Sequence, residues 1–474
     1  MKDRRAFLSS AGMGVAGMAL GAMFHRDAFA ADGKPHFAPK AKSVIWLFMQ
    51  GGASHLETFD YKPALNKYAG LTIDETPYAD VLSSKYKKNT VLFTGKERRS
   101  SSKILPLQVG FRKRGQSGIE VSDWFSHVGD CIDDISVVRS MWTTDNNHAA
   151  QTQFHTGRHI FEGNFPSLGS WIHYGLGSLN DNLPQFVVLG GKILPHDGGP
   201  AGYSGDYLGP QHNGIILDVD PANPLPFAAP VDGVFKEEQE AEFRLLRKFN
   251  QMEAARYPDD SALQARIKSY ELAYRMQTSV PDLFKFSEEG PDARKLYGLD
   301  NKVTRPFGEI CLTARRLVER GVRFVEAIHG YSTDTLGWDA HFDIKKLHGR
   351  TCSEVDQPIA GLLKDLKQRG LLDETLVVWG TEFGRTPGVE GNTLGRDHHP
   401  TAFSCWMAGG GIKGGVVHGA TDELGYHAVE NRHYVTDLHA TVLHQLGLDP
   451  RRLSVPGRQR IEIDYGHKIS EIIA

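Results

Sequence analysis

Two short loops in the second half of the chain combine histidine and aspartate at spacings that suit a metal ion. Asp339 and His341 stand two residues apart in GWDAH, and His398 stands in GRDHHP. Two imidazoles and one carboxylate are common ligands of a catalytic zinc ion, and they leave a position open for water or substrate. The sequence therefore predicts one divalent metal site, with zinc as the ion. The alternative is that these histidines only make structural hydrogen bonds.

A second group of reactive side chains follows the apolar run 375–379, in GTEFGRTP. Glu382 could ligate the metal or act as a base, and Arg385 could hold an anionic oxygen through two N–H groups. The alternative is that the two side chains pair with each other and stiffen the loop.

His148 comes shortly after another apolar run, 135–141, in TTDNNH. We expect it to open a helix, where backbone amide groups would stabilise an anion and lower the pKa of the imidazole. His148 could then act as nucleophile or as general acid, and Asn147 beside it belongs to the same predicted catalytic group. The alternative is that His148 only caps or packs the turn.

The elements that must position these residues are apolar strands that alternate with amphipathic helices. Predicted strands cover 43–49, 135–141, 184–189, 322–328 and 375–379, and predicted helices cover 306–321 and 358–370. The alternation predicts an α/β fold with a mostly parallel sheet covered on both faces. Binding sites of such sheets lie beyond the carboxyl ends of the strands, where the residues above stand.

Composition and charge limit the domain count and the partners. The 474 residues carry a net charge of −3, with 40% hydrophobic and 23% charged residues, so no basic surplus indicates a nucleic acid partner. No linker separates two cores, so 31–474 is predicted to be a single domain with a helical insert around 236–300. One disulfide or four free thiols both fit the widely spaced Cys131, Cys311, Cys352 and Cys405.

The first 30 residues have the layout of an export signal. Arg4 and Arg5 precede a mild apolar stretch, and Ala28-Phe29-Ala30 forms a cleavage site. The arginine pair resembles a twin-arginine signal, which implies the Tat export machinery as a partner and a periplasmic or extracellular location. The alternative is a membrane anchor, but the stretch is shorter than the ~20 residues that cross a bilayer, and no stable membrane span is predicted.

Several long motifs, in order along the chain, resemble those of one family: VIWLFMQGGASHLETFDYKP, TTDNNHAAQTQFHTGR, GWDAH, and TLVVWGTEFGRTP followed by GRDHHP. The chain is similar to the exported family called domain of unknown function 1501, described as sulfatase-like and placed in the alkaline phosphatase superfamily. The resemblance implies a three-layer α/β/α sandwich of alkaline phosphatase type. It also places Glu326 where the superfamily often has an acidic metal ligand.

The chain departs from the superfamily pattern at two positions. Gln50 stands where an aspartate ends the first strand, and Asn147 stands close to the position of the nucleophilic serine. An amide cannot supply a nucleophilic alkoxide. The Cys-x-Pro-x-Arg segment of conventional sulfatases is also absent from the sequence. We therefore expect a second ion to bind weakly or not at all.

The leading hypothesis is an exported, metal-dependent hydrolase of sulfate or phosphate esters, acting on a small molecule or a polysaccharide. Asp339, His341, His398 and Glu326 would hold the ion, His148, Asn147 and Glu382 would be catalytic, and Arg158 or Arg385 would hold the substrate anion. The second hypothesis is a non-catalytic exported binding protein on a degenerate fold of the same type.

Overall fold

The computed structural model describes residues 33–83, 102–191, 193, 198–220, 235–258, 260–332, 335–455, 457–458 and 465–474. The predicted export signal, 1–30, lies outside the described residues.

The strands of the described residues, in chain order, are β1 (Ser43–Met49), β2 (Phe111–Arg114), β3 (Ile119–Ser122), β4 (Ile135–Trp142), β5 (Phe186–Leu189), β6 (Ile215–Leu217), β7 (Phe324–His329), β8 (Tyr331–Ser332), β9 (Thr335–Leu336), β10 (Thr375–Gly380), β11 (Gly384–Val389), β12 (Arg396–His399), β13 (Phe403–Ala408), β14 (Val416–His418), β15 (Ala420–Thr421), β16 (Ala428–Glu430) and β17 (His433–Tyr434).

The α-helices of the same residues are α1 (Pro63–Lys67), α2 (Ser126–Gly129), α3 (Ala150–Thr156), α4 (Leu168–Leu176), α5 (Lys236–Arg256), α6 (Ser261–Ser279), α7 (Pro291–Leu296), α8 (Arg305–Glu319), α9 (Ile344–Gln368) and α10 (Val435–Gln445).

One large sheet forms the centre of the fold. Within the described residues it has nine strands, in the order β14-β4-β13-β10-β1-β7-β5-β6, with β17 also paired to β4. All of its pairings are parallel except those of β13 with β10 and with β4. The mostly parallel sheet predicted from the sequence is therefore confirmed.

The central strand β1 shows why the sheet carries a layer on each face. Every residue of β1 is buried, because alternate side chains point to opposite faces of a sheet and both faces are covered. Ile45 and Leu47 belong to the apolar core shared with α8 and α9, whereas Trp46 and Phe48 belong to the core shared with α4 and α10. The structure thus confirms the three-layer α/β/α sandwich.

The sequence-based start of one helix is wrong. We expected a helix to begin at Pro358, but α9 already begins at Ile344 and contains Pro358 in its interior. An interior proline costs about 3 kcal/mol. Val355, Ile359 and Leu362 flank it and are fully buried, and each contributes about 1.5–3 kcal/mol by burial. Packing against the sheet therefore outweighs the lost hydrogen bond.

The region of the predicted insert contains two long helices, α5 and α6, and the short α7. None of the helices in the described part of the chain is both long and apolar enough to span a membrane. The four cysteines are all buried, and none of them forms a disulfide.

Candidate metal centre

The candidate site lies beyond the carboxyl ends of strands that run in the same direction. β1 leads to Gln50 and Gly51, β4 leads to the segment with His148, β7 leads to the loop with Asp339, and β10 leads to Glu382. Since β1, β7 and β10 are parallel neighbours, these loops emerge at one edge of the sheet. The β11–β12 hairpin follows β10 and supplies His398.

Four side chains converge on one point at this edge. His148, Asp339, His341 and His398 each offer a ligand atom within 4.8 Å of the others, and together they could hold a metal ion. Nε2 of His341 lies 2.7 Å and Nε2 of His398 lies 3.1 Å from Oδ1 of Asp339. Nε2 of His148 instead approaches the other oxygen, Oδ2, at 3.2 Å. The structure therefore brings together three of the four predicted metal ligands and the predicted catalytic histidine.

Each of the three imidazoles is anchored at its other nitrogen by an acceptor. Nδ1 of His148 bonds to Oε1 of Glu382 at 3.1 Å, and Nδ1 of His398 bonds to the carbonyl of Asn146 at 3.0 Å. Nδ1 of His341 bonds to the carboxylate of Glu390. An imidazole that donates from Nδ1 presents a lone pair at Nε2 unless it is protonated, and metal-binding histidines are typically held in this way.

The arrangement fits a cation better than it fits neutral hydrogen bonding alone. Nε2 of His341 and Nε2 of His398 are only 2.9 Å apart, and both face the same carboxylate oxygen. Two lone pairs and an anionic oxygen repel one another unless a proton or a metal ion lies between them. Two imidazole nitrogens and a carboxylate oxygen are the donor set that zinc prefers.

Arg385 holds Asp339 in place and does not reach toward solvent. Its side chain is fully buried, and Nη2 donates to Oδ1 of Asp339 at 2.7 Å. Nη2 also donates to the carbonyls of Gly51 and Trp338, Nε donates to that of Gly52, and Nη1 donates to that of Arg396. We expected Arg385 to bind a substrate anion or to pair with Glu382; instead, it positions a ligand and the loop after β1.

The charges at the site follow from these contacts. Burial alone would raise the pKa of Asp339, but hydrogen bonds with the three histidines and the nearby Arg385 lower it far below its usual range. Burial lowers the pKa of His398 well below its ordinary value. Burial also acts to lower the pKa of His148, yet its bonds to Asp339 and Glu382 outweigh that effect and raise the pKa to about 9. The lowered pKa expected for His148 is thus wrong, because two carboxylates face its ring.

Glu382 is fully buried and belongs to the support of His148. Its two oxygens accept the N–H of Gly51 at 2.9 and 3.1 Å, and Oε2 accepts the hydroxyl of Thr381 at 3.1 Å. With Oε1 also bonded to Nδ1 of His148, the carboxylate is occupied by protein donors. Its place is behind the histidine, where it orients the ring, and it is not one of the four converging side chains.

Other predicted site residues lie apart from the four converging side chains. Glu326 is buried on β7 and pairs with Nε2 of His155 at 2.6 Å, so it is directed at another histidine. Arg158 pairs with Glu162 at 2.6 Å. Asn147 accepts the backbone N–H of His148 through its Oδ1 at 2.8 Å and so shapes the turn. Their predicted roles as ligand, anion clamp and catalytic group have no support in these contacts.

Two acidic residues were missed by the sequence reasoning. The first is Glu390, which anchors His341. Glu390, His341 and Asp397 form a second group of three side chains that could hold an ion. Glu57 makes a fully buried ion pair with Arg396, with Nη2 to Oε1 at 2.7 Å. The position of Glu57 in SHLETF, shortly after the first strand, was the sequence signal that could have identified it as a residue near the site.

Solved structures similar to this chain share little sequence with it. A sulfatase from Pseudoalteromonas sp. is 11% identical, with 95% of this chain and 76% of that chain covered and a TM-score of 0.35. A phosphonate monoester hydrolase from Silicibacter pomeroyi is 13% identical over 73% of this chain and 71% of that chain, with a TM-score of 0.37. The TAB5 alkaline phosphatase is 12% identical over 87% and 99%, with a TM-score of 0.31.

A search of curated proteins gives no significant match. The sequence profile of one family, described as "Protein of unknown function (DUF1501)", matches residues 41–473 and therefore includes every side chain of the site described above. The chain belongs to the DUF1501 family.

Proposed function

We propose that this protein is an exported, metal-dependent hydrolase of sulfate or phosphate esters. The observation that carries the proposal is the convergence of three imidazoles, each anchored at Nδ1, on the single carboxylate of Asp339. Anchoring of a histidine ligand at its other ring nitrogen is a feature of metal sites, and its loss typically costs about 10–100-fold in metal affinity or activity. The resemblance of the motifs to a sulfatase-like family gives the ester class.

The three histidines have different proposed roles, according to which oxygen of Asp339 each one contacts. His341 and His398 address Oδ1, so these three residues are the proposed ligands of one divalent ion, with zinc as the first candidate. His148 addresses Oδ2 and is proposed to donate a proton to the leaving oxygen of the ester. A bound divalent ion would supply Lewis-acid polarisation of the ester and activation of water.

The remaining residues position these groups and leave the site accessible. Arg385 fixes the direction of Asp339, and Glu382 fixes the ring of His148. The side chains of His148, Asp339 and His341 are 11%, 15% and 19% exposed, so a substrate could reach them.

A direct test combines metal reconstitution with a panel of esters. The purified protein would be stripped of metal, reloaded with zinc, manganese, calcium or magnesium, and assayed on aryl sulfates, aryl phosphates and sulfated oligosaccharides. We expect hydrolysis that depends on the metal and is lost in Asp339→Asn. Stoichiometric metal binding without hydrolysis of any ester would overturn the enzymatic proposal and leave the exported binding protein as the better description.

Export is part of the proposal and rests on the sequence of 1–30. The twin-arginine route carries folded proteins, which would allow the site to load its ion before translocation. We expect the exported protein to begin at Ala31 and to depend on Arg4 and Arg5. N-terminal sequencing of extracytoplasmic protein tests this, with Arg4→Lys and Arg5→Lys together as the blocking variant. A chain that keeps Met1 in the membrane fraction would instead indicate an anchor.

A further inference from the structure

Helix α5 is held by one of its faces only. The ring of Phe243 stacks on that of Tyr274 of α6 at a centroid distance of 3.8 Å, and Arg247 pairs with Glu271 of α6 at 3.2 Å. Residues one turn apart on this side face α6, so the opposite side of the helix points away from it. Most of the described side chains of α5 are exposed.

The side of α5 that faces away from α6 is apolar at its centre. Leu245, Phe249 and Met252 follow the i, i+4, i+7 spacing of one helix face and are 55%, 56% and 68% exposed. Single exposed apolar residues are common, but a contiguous row of large ones indicates a contact surface.

The charges along α5 are distributed unevenly. The first eight residues, 236–243, contain one lysine and four glutamates, for a net charge of −3. The following residues, 244–256, contain three arginines, one lysine and one glutamate, for a net charge of +3. A helix with one acidic and one basic half is complementary to a second copy of itself in the antiparallel direction.

An antiparallel pairing centred on Arg247 would bring the two central apolar residues together and would pair opposite charges at the two ends. Leu245 would oppose Phe249 of the partner subunit, and Phe249 would oppose Leu245 of the partner subunit. At the two ends, exposed Glu238 would oppose Arg256 of the partner subunit; within its own chain, Arg256 makes an exposed pair with Glu253 at 3.3 Å. This reciprocity is what a twofold interface requires.

We propose that the exposed face of α5 binds a second copy of this chain in an antiparallel, twofold arrangement. A contact formed by one helix from each subunit is smaller than the roughly 800 Å² per partner of a standard interface, so the dimer is expected to be weak. None of the residues involved belongs to the metal centre, so this proposal stands independently of the enzymatic one.

Sedimentation velocity of the full mature chain over a range of concentrations tests the proposal. We expect a concentration-dependent dimer, and we expect Phe249→Glu to weaken it by about tenfold or more, because it places a charge at the apolar centre. Leu179→Lys is the matched control, since Leu179 is 49% exposed in a loop outside α5. Circular dichroism checks that α5 remains folded.

Charge reversal provides the decisive comparison. Glu238→Arg and Arg256→Glu should each weaken the dimer, because each puts like charges opposite each other, and the double variant should restore it. A chain that is monomeric at all concentrations, or a dimer that neither Phe249→Glu nor the single reversals affect, would overturn the proposal. Binding of the monomer to lipid vesicles through this face would also overturn it.

Discussion

Arg385 and His398 are cross-strand partners in the β11–β12 hairpin, and both reach Oδ1 of Asp339, at 2.7 and 3.1 Å. Side chains opposite each other in an antiparallel pair lie on the same face, so one hairpin delivers a buried cation and an imidazole to the same carboxylate. The hairpin therefore supports the metal centre as one unit, and substitutions that disrupt the hairpin should lower the affinity for the metal ion.

Removing the charge of Asp339 should abolish metal binding. Asp339→Asn keeps the size of the side chain but leaves only a neutral oxygen for His341 and His398 to share with an ion. We expect the metal content, measured by elemental analysis of the purified protein, to fall from about one ion per chain to near zero. His398→Ala should have the same effect.

His433→Gln is the matched histidine control for metal content. His433 pairs with Asp437 at 3.0 Å and is not among the converging side chains, so its replacement should leave the metal content unchanged. Unchanged metal in Asp339→Asn and His398→Ala would contradict the assignment of the centre.

The buried pair of Glu57 and Arg396 should contribute strongly to stability. Both side chains are fully buried, and Glu57→Gln would leave the Arg396 guanidinium without its counter-charge. Breaking such a pair costs about 3–5 kcal/mol in the free energy of unfolding, measurable by urea denaturation. Asp123→Asn, at the end of the exposed pair with Arg112, should cost less than about 1 kcal/mol. Equal losses of unfolding free energy in the two variants would show that the buried pair stabilises the fold no more than the exposed pair does.

The strand ends were predictable from the sequence, but the hairpin was not. The apolar runs of β1, β4 and β10 reveal buried strands directly, and this places Gln50, His148 and Glu382 at one edge of the sheet. β12 reads RDHH, which has no apolar alternation, and so the sequence indicated a loop there. The partnership between Arg385 and His398 depends on that register and could not be read from spacing.

Acid should destabilise the fold in part through His173 and His212. Burial lowers the pKa of His173 to about 4, with Arg323 adding to the effect, and lowers that of His212 to about 3, with His173 and Lys268 adding to it. Both folded-state values lie below the unfolded value near 6.5, so the stabilising contribution is complete above pH 6.5 and is lost as the pH falls toward 4.

We expect the free energy of unfolding to fall between pH 7 and pH 5. In His173→Gln this fall should be smaller than in the wild type, by on the order of 1–2 kcal/mol. His467→Gln serves as the control, because that side chain is 79% exposed. An identical pH dependence in wild type and His173→Gln would rule out this contribution.

The anchors of the imidazoles show a second limit of sequence reasoning. Nδ1 of His398 bonds to a backbone carbonyl, that of Asn146, and any residue type at that position would offer the same oxygen. Glu326 and Arg158 were chosen by residue type and position, yet their charges are directed at His155 and Glu162. Residue types near strand ends indicate where a site lies, whereas the direction of each side chain depends on the packing of the loops.

Glu382 should affect catalysis without affecting metal content. Glu382→Gln keeps the shape of the side chain but removes the charge that holds Nδ1 of His148. We expect kcat on a sulfate or phosphate ester to fall by about 10–100-fold, as when other residues that orient an active-site histidine are replaced, with the metal stoichiometry intact. Loss of metal in this variant would instead make His148 and its support part of the ligand set.

The strongest test of the proposed roles is His148→Ala, because its effect should depend on the leaving group. If His148 donates a proton to the leaving oxygen, the variant should lose about 10²–10⁴-fold in rate on an alkyl ester, whose leaving group needs that proton. A nitrophenyl ester, whose leaving group departs as a stable anion, should be affected far less. Its metal content should stay at the wild-type level, since His148 faces Oδ2 and the proposed ligands share Oδ1. A rapid quench of the wild type in alkaline denaturant, which preserves an N–P or N–S bond, should trap no adduct, whereas a phospho- or sulfo-imidazole on His148 would make it the nucleophile. Equal losses on both esters would contradict the role of proton donor.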